Sequence, residues 1–329
     1  MNGCKRWTSH LLIFCLTVCA EQAWTAHRFG VKDRQQIMML GNSLTEGEDP
    51  DGYVNMTRIL LKHAAPELTL FVGNAGKGGN TCVDMLDRLD RDVLRFRPDW
   101  VTVSAGINDV NRGFTAAHPD GDAPQGISLN QYRTTVTTLV RRVKKQGARV
   151  ALFTPTVIKE NLSSKENARL APFRAAIREI AQREQCLLVD MGAAFHEALQ
   201  PLQKPEMPLS GVLTADGVHL LPAGSWLMAK TLVLAWGVAA HRIDAAKEAV
   251  MQEVEQQKAT LHLRMQAYEK ANQIAGPPLA GETRIVMIGS GAVEQWQPAP
   301  VSPCTLLNRG IAGETSRSLR MRFHQDVVT

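Results

Sequence analysis

Short apolar runs alternate with longer amphipathic segments along most of the chain. Apolar runs bounded by Gly, Pro or Asp lie at residues 37–40, 68–72, 100–104, 150–153 and 187–189. Their length and lack of alternation are typical of parallel strands buried on both faces. Helical periodicity marks residues 53–63, 83–96, 129–145, 167–184 and 223–236. This order predicts βαβ crossovers and an α/β fold with a doubly wound parallel sheet.

The pattern changes after residue 238. Residues 239–274 are rich in Ala, Glu, Gln, Lys and Arg, and the breaker segment GPPLAG follows at 276–281. This composition predicts a long polar helix that connects a domain at 35–238 to the rest of the chain, with the connector spanning 239–275. A coiled-coil dimerisation arm is the alternative, although the heptad pattern is irregular.

The chain then begins to repeat itself. The segment TRIVMIGSGAVEQW at 283–296 parallels QQIMMLGNSLTEG at 35–47, and NRGIAGETS at 308–316 parallels NAGKGGNTC at 74–82. We therefore predict a partial second copy at 283–329 in which Gly291 replaces Ser43, so that it has no nucleophile. It is either an incomplete domain, poorly ordered alone, or an appendage packed on the first domain.

The N-terminus predicts export. A basic start, an apolar run at 11–20 and small residues after it are typical of a secretory signal peptide at 1–26, cleaved after Ala20 or Ala26. The run is too short to span a bilayer, so we expect no transmembrane segment in the mature chain and a periplasmic or extracellular location. A lipoprotein anchor at Cys19 is the less favoured alternative.

Composition narrows the chemistry. The chain is 44% hydrophobic and 21% charged, as in ordinary globular proteins. Beyond the leader it has only Cys82, Cys186 and Cys304, which neither form a disulfide framework nor have zinc-ligand spacing. No basic segment interleaved with aromatic residues points to nucleic acid. We therefore expect no metal, no cofactor and no nucleic-acid partner.

Four motifs carry candidate chemistry: GNSLT at 41–45, NAGKGGNT at 74–81, GIND at 106–109 and DGVHL at 216–220. The first three follow predicted strands, and reactive groups of doubly wound folds lie at the carboxyl ends of strands. Ser43 offers a hydroxyl nucleophile, and Asp216 lies three residues before His219, a spacing that lets a carboxylate orient an imidazole. Each motif alone has a structural explanation, since such residues also cap helices and form turns.

Together the four motifs resemble those of the SGNH hydrolase (GDSL-like lipase/esterase) superfamily over residues 35–238. The resemblance implies a three-layer α/β/α sandwich around a five-stranded parallel sheet. It also implies that Ser43 is the nucleophile, His219 the general base and Asp216 the residue that orients His219. The implied oxyanion hole consists of the backbone N–H groups of Ser43 and Gly76 and the side-chain amide of Asn108.

Two questions remain: the effect of one departure from the superfamily's motif, and the identity of the substrate. The superfamily usually has Asp where this chain has Asn42, which removes a negative charge beside the nucleophile. We expect an exported serine esterase acting on a small-molecule or carbohydrate ester, with a short acyl or acetyl group, through an acyl-enzyme. Residues 112–127 would shape its pocket. The alternatives are a non-catalytic carbohydrate-binding or scaffold protein, and a thioesterase or lysophospholipase. The sequence leaves the oligomeric state open.

Overall fold

The computed structural model describes residues 30–47, 50–205, 208–275, 280–289, 295 and 304–311. The predicted signal peptide, Gly291 and residues 312–329 of the predicted second copy lie outside the described residues.

A five-stranded parallel sheet forms the centre of the first domain. Its strands are β1 (Gln36–Gly41), β2 (Phe71–Gly76), β3 (Trp100–Ser104), β4 (Arg149–Phe153) and β5 (Leu187–Val189), in the spatial order β2-β1-β3-β4-β5. Gly41 at the end of β1 pairs in register with Gly76 on one side and Ser104 on the other. Three strands therefore end at the same level, where the predicted site residues follow them.

Helices connect the strands. They are α1 (Ser43–Glu46), α2 (Tyr53–Ala64), α3 (Cys82–Asp87), α4 (Leu89–Asp92), α5 (Ile107–Asn111), α6 (Leu129–Lys145), α7 (Lys165–Arg183), α8 (Met191–Leu199), α9 (Pro222–Ala235) and α10 (Ala240–Ala275), with 3-10 turns at Leu94–Phe96 and Gln200–Leu202.

The sheet is buried on both faces because successive strand residues point to opposite sides. Ile37 and Met39 join a core with α2, α8, α9 and the start of α10, whereas Met38 and Leu40 join a second core with α3, α6 and α7. These two cores make the α/β/α sandwich that was predicted, and the five-stranded parallel sheet is confirmed.

Two predicted elements differ from those observed. The second strand was predicted at 68–72 but is Phe71–Gly76, because backbone pairing with β1 carries it through small residues that an apolar pattern does not mark. The helix predicted at 83–96 is broken at Arg88. The Arg88 guanidinium is buried and donates to the carbonyls of Gly41 and Ala75, both at 2.8 Å, so tertiary contacts outweigh the helical pattern here.

Helix α10 is only partly the solvated connector that the sequence predicted. Ile243, Ala246, Val250 and Val254 form a buried apolar stripe on the first domain, at the three- and four-residue spacing of a helix face. Beyond this stripe Leu263 is 65% exposed and Ile274 is 78% exposed. The first half of the helix is therefore part of the domain core.

A separate two-stranded parallel sheet follows α10. Strand β6 (Thr283–Gly289) pairs with β7 (Cys304–Gly310), and their last residues, Gly289 and Gly310, are in register. Arg309 of β7 donates to Asn272 Oδ1 at 2.7 and 3.0 Å. This small sheet therefore contacts the exposed half of α10.

Candidate active site

Ser43 lies at the first position of α1, directly after β1. The preceding Asn42 caps this short helix, because its Oδ1 accepts a hydrogen bond from the Leu44 N–H at 3.1 Å. N–H groups in the first turn of a helix have no intrahelical acceptor. The half-buried Ser43 therefore offers both a hydroxyl and a backbone N–H at the carboxyl end of the sheet.

His219 and Asp216 approach Ser43 from the loop before α9. His219 Nε2 is 3.0 Å from Ser43 Oγ, and His219 Nδ1 is 2.6 Å from Asp216 Oδ2. A carboxylate at Nδ1 holds the proton there, so that the lone pair of Nε2 faces the hydroxyl. The structure thus brings together three residues that the sequence separates by up to 176 positions.

The Asp216 carboxylate is held by its own loop. Its Oδ1 accepts from the backbone N–H groups of Val218 at 2.9 Å and His219 at 2.8 Å. Partial burial acts to raise the pKa of Asp216, but hydrogen bonds from the His219 side chain and from these two N–H groups outweigh it, and the net pKa is lowered. Asp216 therefore stays ionised and keeps orienting the imidazole.

Asn108 lies on α5, just after β3. Its Nδ2 donates one hydrogen bond to the Asn80 carbonyl at 3.0 Å, which leaves a second amide hydrogen for another acceptor. The next residue, Asp109, is buried and accepts from the N–H groups of Cys82 and Gly106, both at 2.9 Å. Burial raises the pKa of Asp109. This carboxyl therefore joins the loop after β3 to the loop after β2. Asp109 is the last residue of the GIND motif, and the sequence analysis assigned it no role.

Gly76 does not have the free N–H that the resemblance implied. This N–H donates to Asn74 Oδ1 at 2.7 Å, and Asn74 Nδ2 donates to the Thr45 carbonyl at 2.6 Å. Gly76 is the last residue of β2, and this side-chain contact stabilises the end of the strand. Because this N–H is already bonded inside the protein, the structure argues against Gly76 as an oxyanion donor, and that role stays a prediction.

The loop after β2 contains a better candidate, Gly79. The N–H of Lys77 donates to Gly41 O at 3.1 Å, that of Gly78 to Glu46 Oε2 at 2.8 Å, and that of Asn80 to Lys77 O at 3.2 Å. In this loop the Gly79 N–H alone has no hydrogen-bond acceptor among the described residues.

Gly79 is also in a suitable place. Its φ of +76° favours glycine, and the loop runs from Gly78, where a Cβ would lie 4.0 Å from Ser43 Cβ, to Asn80, which contacts Asn108. The GG doublet before the helix cap at Thr81 was the sequence signal that could have identified it.

The insertion at 112–127 begins beside this loop. Arg112 donates to the Gly79 carbonyl at 2.6 Å, so the start of the insertion fixes the same backbone segment. The His219 and Asp216 side chains are each 55% exposed, which means that the site is open to solvent.

The described part of the chain holds no cluster of three or more His, Cys, Asp or Glu side chains with the geometry for a metal ion. In the same residues no helix combines the length and the apolar character that crossing a membrane requires.

An α/β sandwich with a serine, a histidine and an aspartate at the carboxyl end of its sheet has the features of a hydrolase. The chain belongs to the GDSL-like Lipase/Acylhydrolase family, whose model matches residues 39–227. It is therefore an enzyme that hydrolyses acyl esters. The predicted SGNH-type resemblance is confirmed.

Several known proteins are similar to this chain. An acetylxylan esterase of Geobacillus stearothermophilus is 30% identical over 215 residues, which cover 60% of this chain and 92% of that protein. A solved structure of a single-residue variant of an acetyl xylan esterase from the same organism has a TM-score of 0.56 and 29% identity, covering 63% of this chain and 97% of that one. An α/β hydrolase from the metagenome of Lake Arreo, Spain, has a TM-score of 0.57 and 29% identity, with coverages of 63% and 97%.

Proposed function

We propose that the protein is an exported serine esterase that removes acetyl or other short acyl groups from carbohydrate. One observation carries the catalytic part of the proposal: the continuous hydrogen-bonded chain from Ser43 Oγ through the His219 ring to Asp216, with separations of 3.0 and 2.6 Å. These are the distances at which a base can remove a proton from a nucleophile and be oriented while it does so.

The residues have defined roles in this mechanism. His219 Nε2 takes the Ser43 proton as Oγ attacks the ester carbonyl, and then gives that proton to the leaving alcohol. The same imidazole activates water to hydrolyse the acyl-enzyme. Asp216 holds the ring in the required tautomer throughout.

The oxyanion is stabilised by the Ser43 and Gly79 N–H groups and by the remaining amide hydrogen of Asn108. In acyl transfer each such donor is typically worth about 3–4 kcal/mol in the transition state. In this assignment Gly79 replaces Gly76.

Asn42 favours an active enzyme over a non-catalytic binding protein. Its Oδ1 caps α1 as an aspartate oxygen would, and so it retains the turn that presents Ser43. Its buried Nδ2 has no hydrogen-bond partner among the described residues, which is the structural cost of the substitution. The nucleophile and its base are within hydrogen-bonding distance despite that cost.

Two observations support a carbohydrate ester as the substrate. The named relatives from Geobacillus stearothermophilus are acetylxylan esterases. The open site, with His219 and Asp216 each 55% exposed, suits a short acyl group on a large alcohol. Export rests on the leader at 1–26, and N-terminal sequencing of the secreted protein would test it.

The test compares the wild-type protein with Ser43→Ala on p-nitrophenyl acetate, p-nitrophenyl palmitate and acetylated xylan. We expect the wild type to hydrolyse p-nitrophenyl acetate, to release acetate from xylan and to act poorly on palmitate, and the variant to do none of these. A wild type that binds xylan but hydrolyses no ester would establish the non-catalytic alternative. Preference for an acyl thioester or a lysophospholipid would replace the carbohydrate substrate.

A further inference from the structure

The loop that carries Asp216 and His219 has little secondary structure of its own. It runs from Leu209 to Leu221, and among described residues its one strand-like contact is the isolated bridge between Thr214 and Leu220. Exposed loops of this kind are usually mobile. A serine and a histidine contributed by different segments must nevertheless keep a separation near 3 Å, and misplacement by about 1 Å can cost about 100-fold in rate.

Glu160 supplies a buried anchor for this loop. Its side chain is completely buried, and its carboxylate accepts hydrogen bonds from four donors on three consecutive loop residues. Oε2 accepts from the Val212 N–H at 2.9 Å, while Oε1 accepts from the Leu213 N–H at 2.6 Å and from the Thr214 N–H and Oγ1 at 2.6 and 2.8 Å. Thr214 is two residues before Asp216, so the anchored segment leads directly into the site.

The backbone beside Glu160 holds the loop at two further points. The Glu160 N–H donates to Leu209 O at 2.8 Å, and the Lys159 N–H donates to Gly217 O at 2.8 Å. Gly217 has a φ of +95°, and a Cβ there would lie 3.1 Å from Lys159 Cα. Segment 159–160 is therefore hydrogen-bonded to the loop on both sides of Asp216.

Segment 159–160 is itself hydrogen-bonded to α7. Asn167 Oδ1 accepts from the Ile158 N–H at 3.2 Å, and its Nδ2 donates to the carbonyls of Lys159 and Asn161, both at 2.9 Å. A continuous path of hydrogen bonds thus joins a long helix of the sandwich to the loop that bears His219.

We propose that Glu160 is a positioning residue that sets the placement of Asp216 and His219 relative to Ser43, acting through the N–H groups of residues 212–214. The proposal rests on the proposed function of these three residues. Glu160 does not touch the reacting atoms. Its carboxylate suits the task because only a side chain with two acceptor oxygens can receive all four donors without presenting a donor of its own.

The decisive variant is Glu160→Gln. It keeps one oxygen for the donors that share Oε1 but places an NH₂ group against the Val212 N–H, so two donors face each other. Asp190→Asn is the matched control. Asp190 accepts from Thr154 Oγ1 at 2.8 Å, from the Ala193 N–H at 3.1 Å and from Arg178 Nε at 2.8 Å, and no described contact joins it to the 209–221 loop.

The measurements are kcat, KM and the melting temperature with p-nitrophenyl acetate as substrate. For Glu160→Gln we expect kcat to fall about 10- to 100-fold with KM changed less than about threefold, because chemistry and not binding depends on the His219 position. Asp190→Asn should lower the melting temperature and keep kcat within about threefold of wild type. An unchanged kcat in Glu160→Gln, or an equal kcat loss in both variants, contradicts the proposal.

Two additions keep the test decisive. If Glu160→Gln does not fold, Thr214→Val removes only the Oγ1 donor and should lower kcat about 2- to 10-fold, and an unchanged kcat there overturns the proposal. The far-downfield Nδ1–H proton resonance of His219, assigned with His219→Ala, should shift or disappear in Glu160→Gln and persist in Asp190→Asn. This resonance does not require turnover. It therefore tests the anchor even if Ser43→Ala retains activity and the proposed esterase mechanism fails.

Discussion

The strand pairs β1–β2 and β6–β7 have the same local geometry, but Ser43 follows the first pair's β1 and Gly291 has the corresponding sequence position after β6. In each pair the terminal glycines are in register, Gly41 with Gly76 and Gly289 with Gly310. In each pair the final glycine N–H of the second strand donates to an asparagine two residues earlier, at 2.7 Å to Asn74 and 2.9 Å to Asn308.

The next bond recurs as well. The Lys77 N–H donates to Gly41 O at 3.1 Å, and the Ile311 N–H donates to Gly289 O at 2.9 Å. The asparagine–glycine turn is therefore present beside a strand pair whose counterpart of Ser43 is Gly291. We infer that this turn is a device of the fold. The comparison favours a structural role for Gly76, which resembles a catalytic glycine in the sequence.

The two pairs differ in what surrounds them. Strand β1 lies between β2 and β3, and Ile37, Met39 and Leu40 are completely buried. Strand β6 belongs to a two-stranded sheet, and its Ile285 is 41% exposed. The site proposed for the first unit also uses residues that follow β3 and β5, and in the described residues the second sheet has only β6 and β7. A strand pair alone does not make the site.

The largest expected effect is at the nucleophile. Ser43→Ala should lower kcat by about 10⁴- to 10⁶-fold, since the base then has no hydroxyl to activate. Adding Gly291→Ser to that variant should restore nothing, because residues 283–329 contain no counterpart of the DGVH motif at 216–219. Ester hydrolysis measured on both variants checks this, and recovery of activity in the double variant would break the comparison.

The oxyanion donor comes next. Asn108→Ala should lower kcat about 10²- to 10³-fold with a smaller change in KM, because its free amide hydrogen acts mainly on the charge that develops in the transition state. Asp109 and the fold should be undisturbed, which circular dichroism can verify. A kcat within about threefold of wild type would remove Asn108 from the mechanism.

The asparagine–glycine turn should contribute to the stability of the first domain more than to its activity. Asn74→Ala should destabilise the first domain by about 1–3 kcal/mol, because it leaves the Gly76 N–H and the Thr45 carbonyl without their partner. Thermal unfolding measures this, with Asn308→Ala as the matched change in the second unit. We expect any fall in kcat to be smaller than that of Asn108→Ala. A larger fall would return the Gly76 segment to the site.

The smallest expected effect follows deletion of residues 276–329. Because Val254 and the other buried residues of α10 remain, the first domain should fold and hydrolyse esters at a rate within about twofold of wild type. Soluble yield and kcat/KM measure this. Loss of soluble protein would show that the C-terminal unit is an appendage on which the domain depends.

The sequence predicted the sheet well because its strands are buried on both faces and leave continuous apolar runs. It also selected Ser43, Asp216 and His219, which the structure places in contact, and Asn108, whose Nδ2 donates to the Asn80 carbonyl. These residues stand at strand or helix ends, where motifs are local and can be recognised.

What the sequence missed depends on contacts between distant segments. The end of β2 is fixed by pairing with β1 and not by apolar side chains, so the sequence did not show that the Gly76 N–H is bonded within the protein. Arg88 breaks a helix by reaching two strand carbonyls. Glu160 accepts hydrogen bonds from residues 52 to 54 positions away, and its local sequence gives no signal that predicts these contacts.

Covalent labelling tests the central claim most directly. A serine-directed phosphonate is added to the wild-type protein and to Ser43→Ala, and the modified peptide is located by mass spectrometry. We expect one adduct per chain, on Ser43, with activity lost in proportion to labelling and no adduct in the variant. Inactivation with the label on another residue, or hydrolysis that continues in a fully labelled Ser43 protein, would contradict the account.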